Sequence, residues 1–222
     1  MHVIDIGNGF TSVIDNGVVD RITCHYGASC VAYFFDRPPQ KLDLHLSPYN
    51  AQYGTPVSDD GQTLFISSWE EGIVAYSILS NSVRWTLKCK RITSIVVGSS
   101  YLVALKKGET IMKVDINTGR ILSEIKSSTI ERLFELNNNL ILVAAVRGKL
   151  SVIDTGTMHI VKQYSKKVVN PENCLSLTLQ KATLQNGTLT VYGFEEYPNG
   201  DYTVCGCKDF LRIIDTDLSD LL

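Results

Sequence analysis

The 222-residue chain has no stretch approaching the roughly 18 uninterrupted apolar residues that a membrane-spanning helix requires. Its start, Met1-His-Val-Ile-Asp-Ile-Gly, has no basic leader followed by an apolar run, so the expected setting is the cytoplasm. Neither sign of charge is in excess. A net charge of −2 and a pI near 6.1 give no global attraction to nucleic acid or anionic lipid. Hydrophobic residues at 44% and charged residues at 20% exclude a disordered chain.

Chemical motifs are scarce. There are four histidines (His2, His25, His45 and His159), none set in a pattern that would orient a serine or cysteine nucleophile. Cys205-Gly-Cys207 with Cys24, Cys30 and His25 lacks zinc spacing, since C-x-C on a strand points both thiols to one face. The six cysteines, which also include Cys89 and Cys174, are expected to be mostly reduced and buried, because a domain this long needs no staples and no secretory signal accompanies them. Gly7-Asn-Gly9 reads as a turn, since no helix follows it to receive a phosphate. No 12-residue calcium loop occurs. The expectation is therefore no catalytic residue, no metal and no cofactor.

What the chain does contain is a repeat. Ile92-Thr-Ser-Ile-Val-Val, a Gly98-Ser-Ser turn, Tyr101-Leu-Val-Ala-Leu, a Lys107-Gly-Glu turn, Thr110-Ile-Met-Lys-Val-Asp, an Asn117-Thr-Gly turn and Ile121-Leu-Ser-Glu-Ile make a four-strand meander. The same grammar runs from Thr55 to Leu87 and from Ile130 to Tyr164. The third strands end at Ser77, Asp115 and Asp154, 38 and then 39 residues apart. That interval fits one propeller blade. No long window carries a 3.6-residue apolar stripe, and β-branched residues dominate the runs, which excludes a helical array. One meander buries too little apolar surface alone, whereas stacked meanders cover each other's faces.

At these residues the chain resembles the WD40-like and PQQ-like repeat propellers. Ser58-Asp-Asp-Gly-Gln-Thr-Leu-Phe-Ile-Ser-Ser-Trp looks like the first-to-second-strand passage of WD-type repeats, and Asp115-Ile-Asn-Thr-Gly-Arg and Val83-Arg-Trp like the third-to-fourth-strand passage of PQQ-like ones. The resemblance covers residues 50 to 166. The Gly-His and Trp-Asp signature pairs are absent, as is a full set of the tryptophan-docking repeats that accompany a bound quinone, so the resemblance implies an architecture and no specific function.

A third-strand echo, Phe210-Leu-Arg-Ile-Ile-Asp-Thr-Asp, ends at Asp215, 61 residues beyond Asp154, so the last blade is expanded. Asn170-Pro-Glu-Asn and Pro198-Asn-Gly-Asp mark its loops. The expected fold is all-β, one domain over residues 1–222 of about five four-stranded antiparallel blades. Val3-Ile-Asp-Ile is the candidate for the missing fourth strand of the last blade, joining the two ends and removing an exposed edge. The first blade would use Val19 to Tyr26, Cys30 to Phe35 and Leu42 to Leu46.

Propeller loops alternate between two faces, so charge can be sorted by connection. Loops after second and fourth strands carry Lys88, Lys90, Arg91, Lys106, Lys107, Arg147, Lys149, Lys166, Lys167 and Lys208, nearly half of the 21 lysines and arginines. Loops of the other kind carry Asp59, Asp60, Asp115, Asp154, Asp215 and Asp217. A basic face would steer and dock one partner with an acidic surface. The plainer reading is that lysines guard strand ends and aspartates support turns. Trp69 beside Glu70-Glu71 is the better aromatic anchor at an interface, with Tyr49 and Tyr53 also in view, whereas Trp85 inside an apolar strand suits core packing.

These features point to a non-catalytic protein-binding module, monomeric or in a 1:1 complex. Its most specific form is a dedicated inhibitor or immunity protein that covers the active site of a bacterial toxin. The alternative is a small-molecule or carbohydrate-binding propeller, hydrolytic if acids line its central channel. Nucleic acid is disfavoured because few aromatic residues lie among the lysines.

Overall fold

Alternation of β-branched and small apolar residues makes the chain fold as short antiparallel strands. A computed structural model describes residues 2–5, 9–14, 17–25, 29–45, 57–58, 60–68, 72–127, 129–137, 139–145, 148–170, 176–198 and 205–219. Two compact units divide the chain, Met1–Lys107 with Ile111–Glu124, and Gly108–Thr110 with Ile125–Leu222.

In the first unit, β1 (His2–Asp5), β2 (Gly9–Val13), β3 (Val19–His25), β4 (Ser29–Phe34) and β5 (Gln40–His45) form one sheet in chain order. β6 (Thr63–Ser68), β7 (Gly72–Ser77) and β8 (Ser82–Lys88) form the second, and a bridge from Val57 to Leu64 occupies the place of its first strand. The third sheet consists of β9 (Ile92–Val97), β10 (Tyr101–Lys106), β11 (Thr110–Asp115) and β12 (Ile121–Lys126).

The two-residue period of a strand explains how these sheets share cores. Leu64 and Ile66 of β6 enter a cluster with Ile22, Ala32 and Leu42 of the first sheet. Phe65, between them in sequence, points the other way and packs with Leu102, Ala104, Met112 and Val114 of the third. Covered on two faces, β10 is buried along nearly its whole length, while the outer strands β8 and β12 are mostly exposed. Trp85 on β8 lies 5.9 Å from Phe65 and its indole Nε1 donates to the Ile116 carbonyl at 3.0 Å. The Asn117-Thr-Gly turn needs its glycine on two counts. Gly119 has φ +71, and a Cβ there would meet the Trp85 ring at 2.6 Å.

The second unit holds a four-stranded sheet, β13 (Ile130–Asn137), β14 (Leu140–Ala145), β15 (Leu150–Asp154) and β16 (His159–Tyr164), then the short helix α1 (Lys166–Val169). Its second sheet has β17 (Ser176–Gln185), β18 (Thr188–Pro198) and β19 (Cys205–Asp215). Leu140, Leu142, Leu150 and Val152 pack with Leu177, Leu179, Leu189, Val191 and Phe210 in one cluster. Strands of 10 and 11 residues account for the expansion of the last repeat, and β19 ends at Asp215 as expected.

Val3-Ile-Asp-Ile, the candidate fourth strand of the last blade, pairs antiparallel with β2, with Val3 opposite Ser12, as the outer strand of a five-stranded first sheet, and among the described residues no strand pairs with the far edge of β19. Local hairpin closure across the short Ile6–Asn8 link costs less chain entropy than a pairing across the whole sequence. One expectation needs correction. Cys24 and Cys30 are not free thiols. They face each other across β3 and β4, Cα to Cα 4.1 Å, and are joined in a disulfide. Spacing alone did not reveal that the hairpin sets them opposite one another. Cys89 is a free thiol.

Candidate protein-binding site

Five of the expected basic residues come from one interblade connection and one turn of the first unit. Lys88 ends β8, Lys90 and Arg91 lie in the link to β9, Lys106 ends β10 and Lys107 opens the following turn. Lys106 stands opposite Ile92 in the β9–β10 register, and the Lys107 N–H donates to the Arg91 carbonyl at 2.8 Å. The connection and the turn are thereby tied together. Arg91 and Lys107 both adopt left-handed backbone conformations, φ 68 and φ 57, which cost a non-glycine residue on the order of 1 kcal/mol each. Lys88, Lys90, Arg91 and Lys107 are exposed and Lys106 is half-buried.

The second unit carries a separate basic group. Lys149 precedes β15, Lys167 is exposed on α1, and Lys166 is half-buried at the start of that helix, with its carbonyl accepting the Asn170 N–H at 2.7 Å. Buried Val169 anchors α1. Lys208 is exposed on β19. Arg147 and Trp69 lie outside the described residues, as do Tyr49, Tyr53, Asp59, Glu70 and Glu71.

The acidic set has a different character. Asp115 Oδ1 accepts from the Asn117 N–H at 3.0 Å, the Thr118 N–H at 2.8 Å and the Thr118 hydroxyl at 2.7 Å. The hydroxyl and the N–H of Thr118 hold its carboxyl below the ordinary value. Asp154 repeats this with Thr157, at 2.6 Å to the N–H and 2.7 Å to the hydroxyl. At the equivalent place in the second sheet, the Ser77 hydroxyl accepts the Ser80 N–H at 3.2 Å. The aspartates at these strand ends therefore close turns with their side chains.

Asp215 does more. Its Oδ1 accepts the Asp217 N–H at 3.1 Å, while its Oδ2 accepts the Tyr164 hydroxyl at 2.8 Å and lies 3.5 Å from Lys162 Nζ. Burial raises the carboxyl, but the Asp217 N–H, the Tyr164 hydroxyl and Lys162 outweigh it and leave it below the ordinary value. Tyr164 is pushed well up, first by burial and then by its bond to Asp215.

Sequence reasoning missed one charged pair. Glu195, 1% exposed, forms an ion pair with Arg212, which also donates to the Val169 carbonyl and stacks on Phe210 with its guanidinium 4.7 Å from the ring centroid. Its signal was present in the alternation Phe210-Leu-Arg-Ile-Ile, where Arg212 falls on the same side as two core residues, but no local pattern names its partner on another strand. Among the described residues, no group of three or more His, Cys, Asp or Glu side chains is placed to hold a metal ion. No helix among them is long and apolar enough to cross a membrane.

No family model matches the chain, and no curated protein matches it. Solved structures do. The β-propeller domain of Cps50 (Swd1) from Myceliophteria thermophila superposes with a TM-score of 0.62 at 11% identity, covering 95% of this chain and 73% of that one. BamB from Moraxella catarrhalis gives a TM-score of 0.61 at 13% identity, covering 95% of this chain and 63% of that one, so the chain spans under two thirds of BamB's length. At such identities the likeness establishes the fold alone. That fold is an all-β propeller with about five antiparallel sheets as its blades.

Proposed function

We propose that the chain is a non-catalytic protein-binding module whose Lys88, Lys90, Arg91, Lys106 and Lys107 cluster grips an acidic surface on one partner. The observation carrying this reading is the tie between Arg91 and Lys107. Two cationic residues adopt left-handed backbone, at a cost in stability, and a backbone hydrogen bond from the Lys107 N–H to the Arg91 carbonyl ties the turn to the connection. Solubility alone needs no such arrangement. Asp115 and Asp154 of the other connections are occupied by their own turns.

Lys149, Lys166, Lys167 and Lys208, with Trp69 and Arg147, extend the candidate set. A dedicated inhibitor of the immunity-protein kind, in a 1:1 complex, is the narrowest form of the reading. The test is affinity capture from native cells with wild type beside the triple variant Lys90→Glu, Arg91→Glu, Lys107→Glu, circular dichroism confirming that both fold. A protein retained by wild type alone supports the cluster. Equal retention by both sinks it.

The Cys24–Cys30 disulfide favours an oxidising setting over the cytoplasm, where thiols are kept reduced. Alkylation before lysis followed by intact-mass measurement decides between them. A chain that gains label at both cysteines belongs to a reducing compartment.

A further inference from the structure

The last sheet lacks something that three others possess. β7, β11 and β15 are third strands of their sheets, each paired on its far side with β8, β12 or β16, and none contains an exposed residue. β19 holds the same place, ending at Asp215 where the others end at Ser77, Asp115 and Asp154, yet among the described residues it is the edge of its sheet. Its register with β18 runs from Cys205 opposite Pro198 to Asp215 opposite Leu189. Along it Leu211 is 72% and Ile213 64% exposed, the two most exposed large apolar side chains among those described.

A long edge with protruding apolar side chains is a template for another strand. We propose that β19 is a docking edge, and that its occupant is an extended segment of a partner protein that adds antiparallel as the fourth strand of this sheet. The chain's own fourth strands define the chemistry of that segment. β8 reads Ser-Val-Arg-Trp-Thr-Leu-Lys, β12 Ile-Leu-Ser-Glu-Ile-Lys and β16 His-Ile-Val-Lys-Gln-Tyr. Each is 6 or 7 residues long, mixes apolar and polar side chains, and carries at least one lysine or arginine.

Charge on β19 selects the same composition. Arg212 is committed to Glu195, and Asp215 already has Lys162 and Tyr164. Asp209 is exposed on the face that carries Leu211 and Ile213. The fitting segment therefore places two apolar residues against Leu211 and Ile213 and a lysine or arginine near Asp209. This edge shares no residue with the basic cluster around Arg91 and Lys107.

The probe is a fluorescein-labelled peptide with the sequence of residues 158–164, Met-His-Ile-Val-Lys-Gln-Tyr, titrated into the full chain by anisotropy, with a scrambled peptide beside it. Hydrogen exchange of the β19 amides is followed in parallel. The expected result is saturable binding of the ordered sequence, slower exchange across 208–215 on binding, and roughly tenfold weaker binding to the variant Leu211→Lys, Ile213→Lys. The triple variant at Lys90, Arg91 and Lys107 should bind the peptide as wild type does, which keeps this test separate from that of the basic cluster.

Three outcomes overturn the proposal. Equal binding of the scrambled peptide, or none of either, removes the edge as a docking site. Protection in the free chain, independent of its concentration, of the β19 amides that point away from β18 assigns the edge to the chain's own strand. Protection that grows with concentration assigns it to a second copy. Because Leu211 and Ile213 point away from the core, the double variant is expected to fold, and circular dichroism verifies it.

Discussion

The two sheets of the second unit begin alike and finish differently. In the β13–β16 sheet, a buried second strand is flanked on both sides, and β16 meets solvent with His159, Ile160, Val161, Lys162 and Gln163 exposed. In the β17–β19 sheet the strands are nearly twice as long, and the outermost strand carries Arg212, paired with the buried Glu195 of β18, on one face and bare leucine and isoleucine on the other. The first sheet completes a four-stranded meander. The second relies on a charged pair inside and, among the described residues, leaves its outer edge open, which teaches that a propeller repeat tolerates change where its neighbour in the ladder is not fixed by the local sequence.

Breaking the ion pair should separate the two sheets most strongly. Arg212→Ala leaves the Glu195 carboxylate buried without its cation, and a loss of roughly 3–5 kcal/mol in urea unfolding is expected. A loss under about 1 kcal/mol, a value usual for exposed pairs, would mean that solvent reaches Glu195.

A smaller effect compares equivalent turns. Asp215→Ala removes the acceptor of the Tyr164 hydroxyl and the Lys162 contact as well as the Asp217 turn bond, and should cost about 2 kcal/mol, against about 1 kcal/mol for Asp154→Ala, which opens its own turn. Equal losses would dissolve the distinction. Acid sharpens it. The folded carboxyls of Asp215 and Asp115 both lie below their ordinary value of 3.8, so their contribution is fully present above that pH and is lost as pH falls through the lower folded value. Wild type should lose stability on acidification below about pH 4, and Asp215→Ala should show a shallower decline in the same window.

The least effect on stability is expected at the open edge. Leu211→Lys should alter the free chain by no more than about 0.5 kcal/mol, since the side chain is already in water. A large loss would show that the edge is covered within the chain.

Legibility tracks how local each feature is. The 38- and 39-residue spacing of Ser77, Asp115 and Asp154 was readable because each residue closes its own turn, with an acceptor at the strand end and an N–H three residues on. Trp85 lies partly buried against the Phe65 cluster on an otherwise mostly exposed strand, packed inward as expected. The basic residues can be sorted by connection from the sequence, but the Arg91 to Lys107 tie was not readable, since it joins a connection and a turn through backbone atoms that any sequence possesses. Cys24 with Cys30 shows the same limit. Their separation of 6 permits a hairpin, and only the strand register places them face to face.

The amino-acid sequence by itself determined the all-β class, the repeat length, the turns and the apolar inner strands, because these depend on side-chain alternation and on contacts within a few residues. Tertiary structure decided the rest: that β1 joins β2, that Glu195 meets Arg212 in the interior, and that β19 ends its sheet. Each of these is a pairing between segments that local propensity leaves equally free to pair elsewhere, and the choice is made by which arrangement buries apolar surface while satisfying backbone and charge.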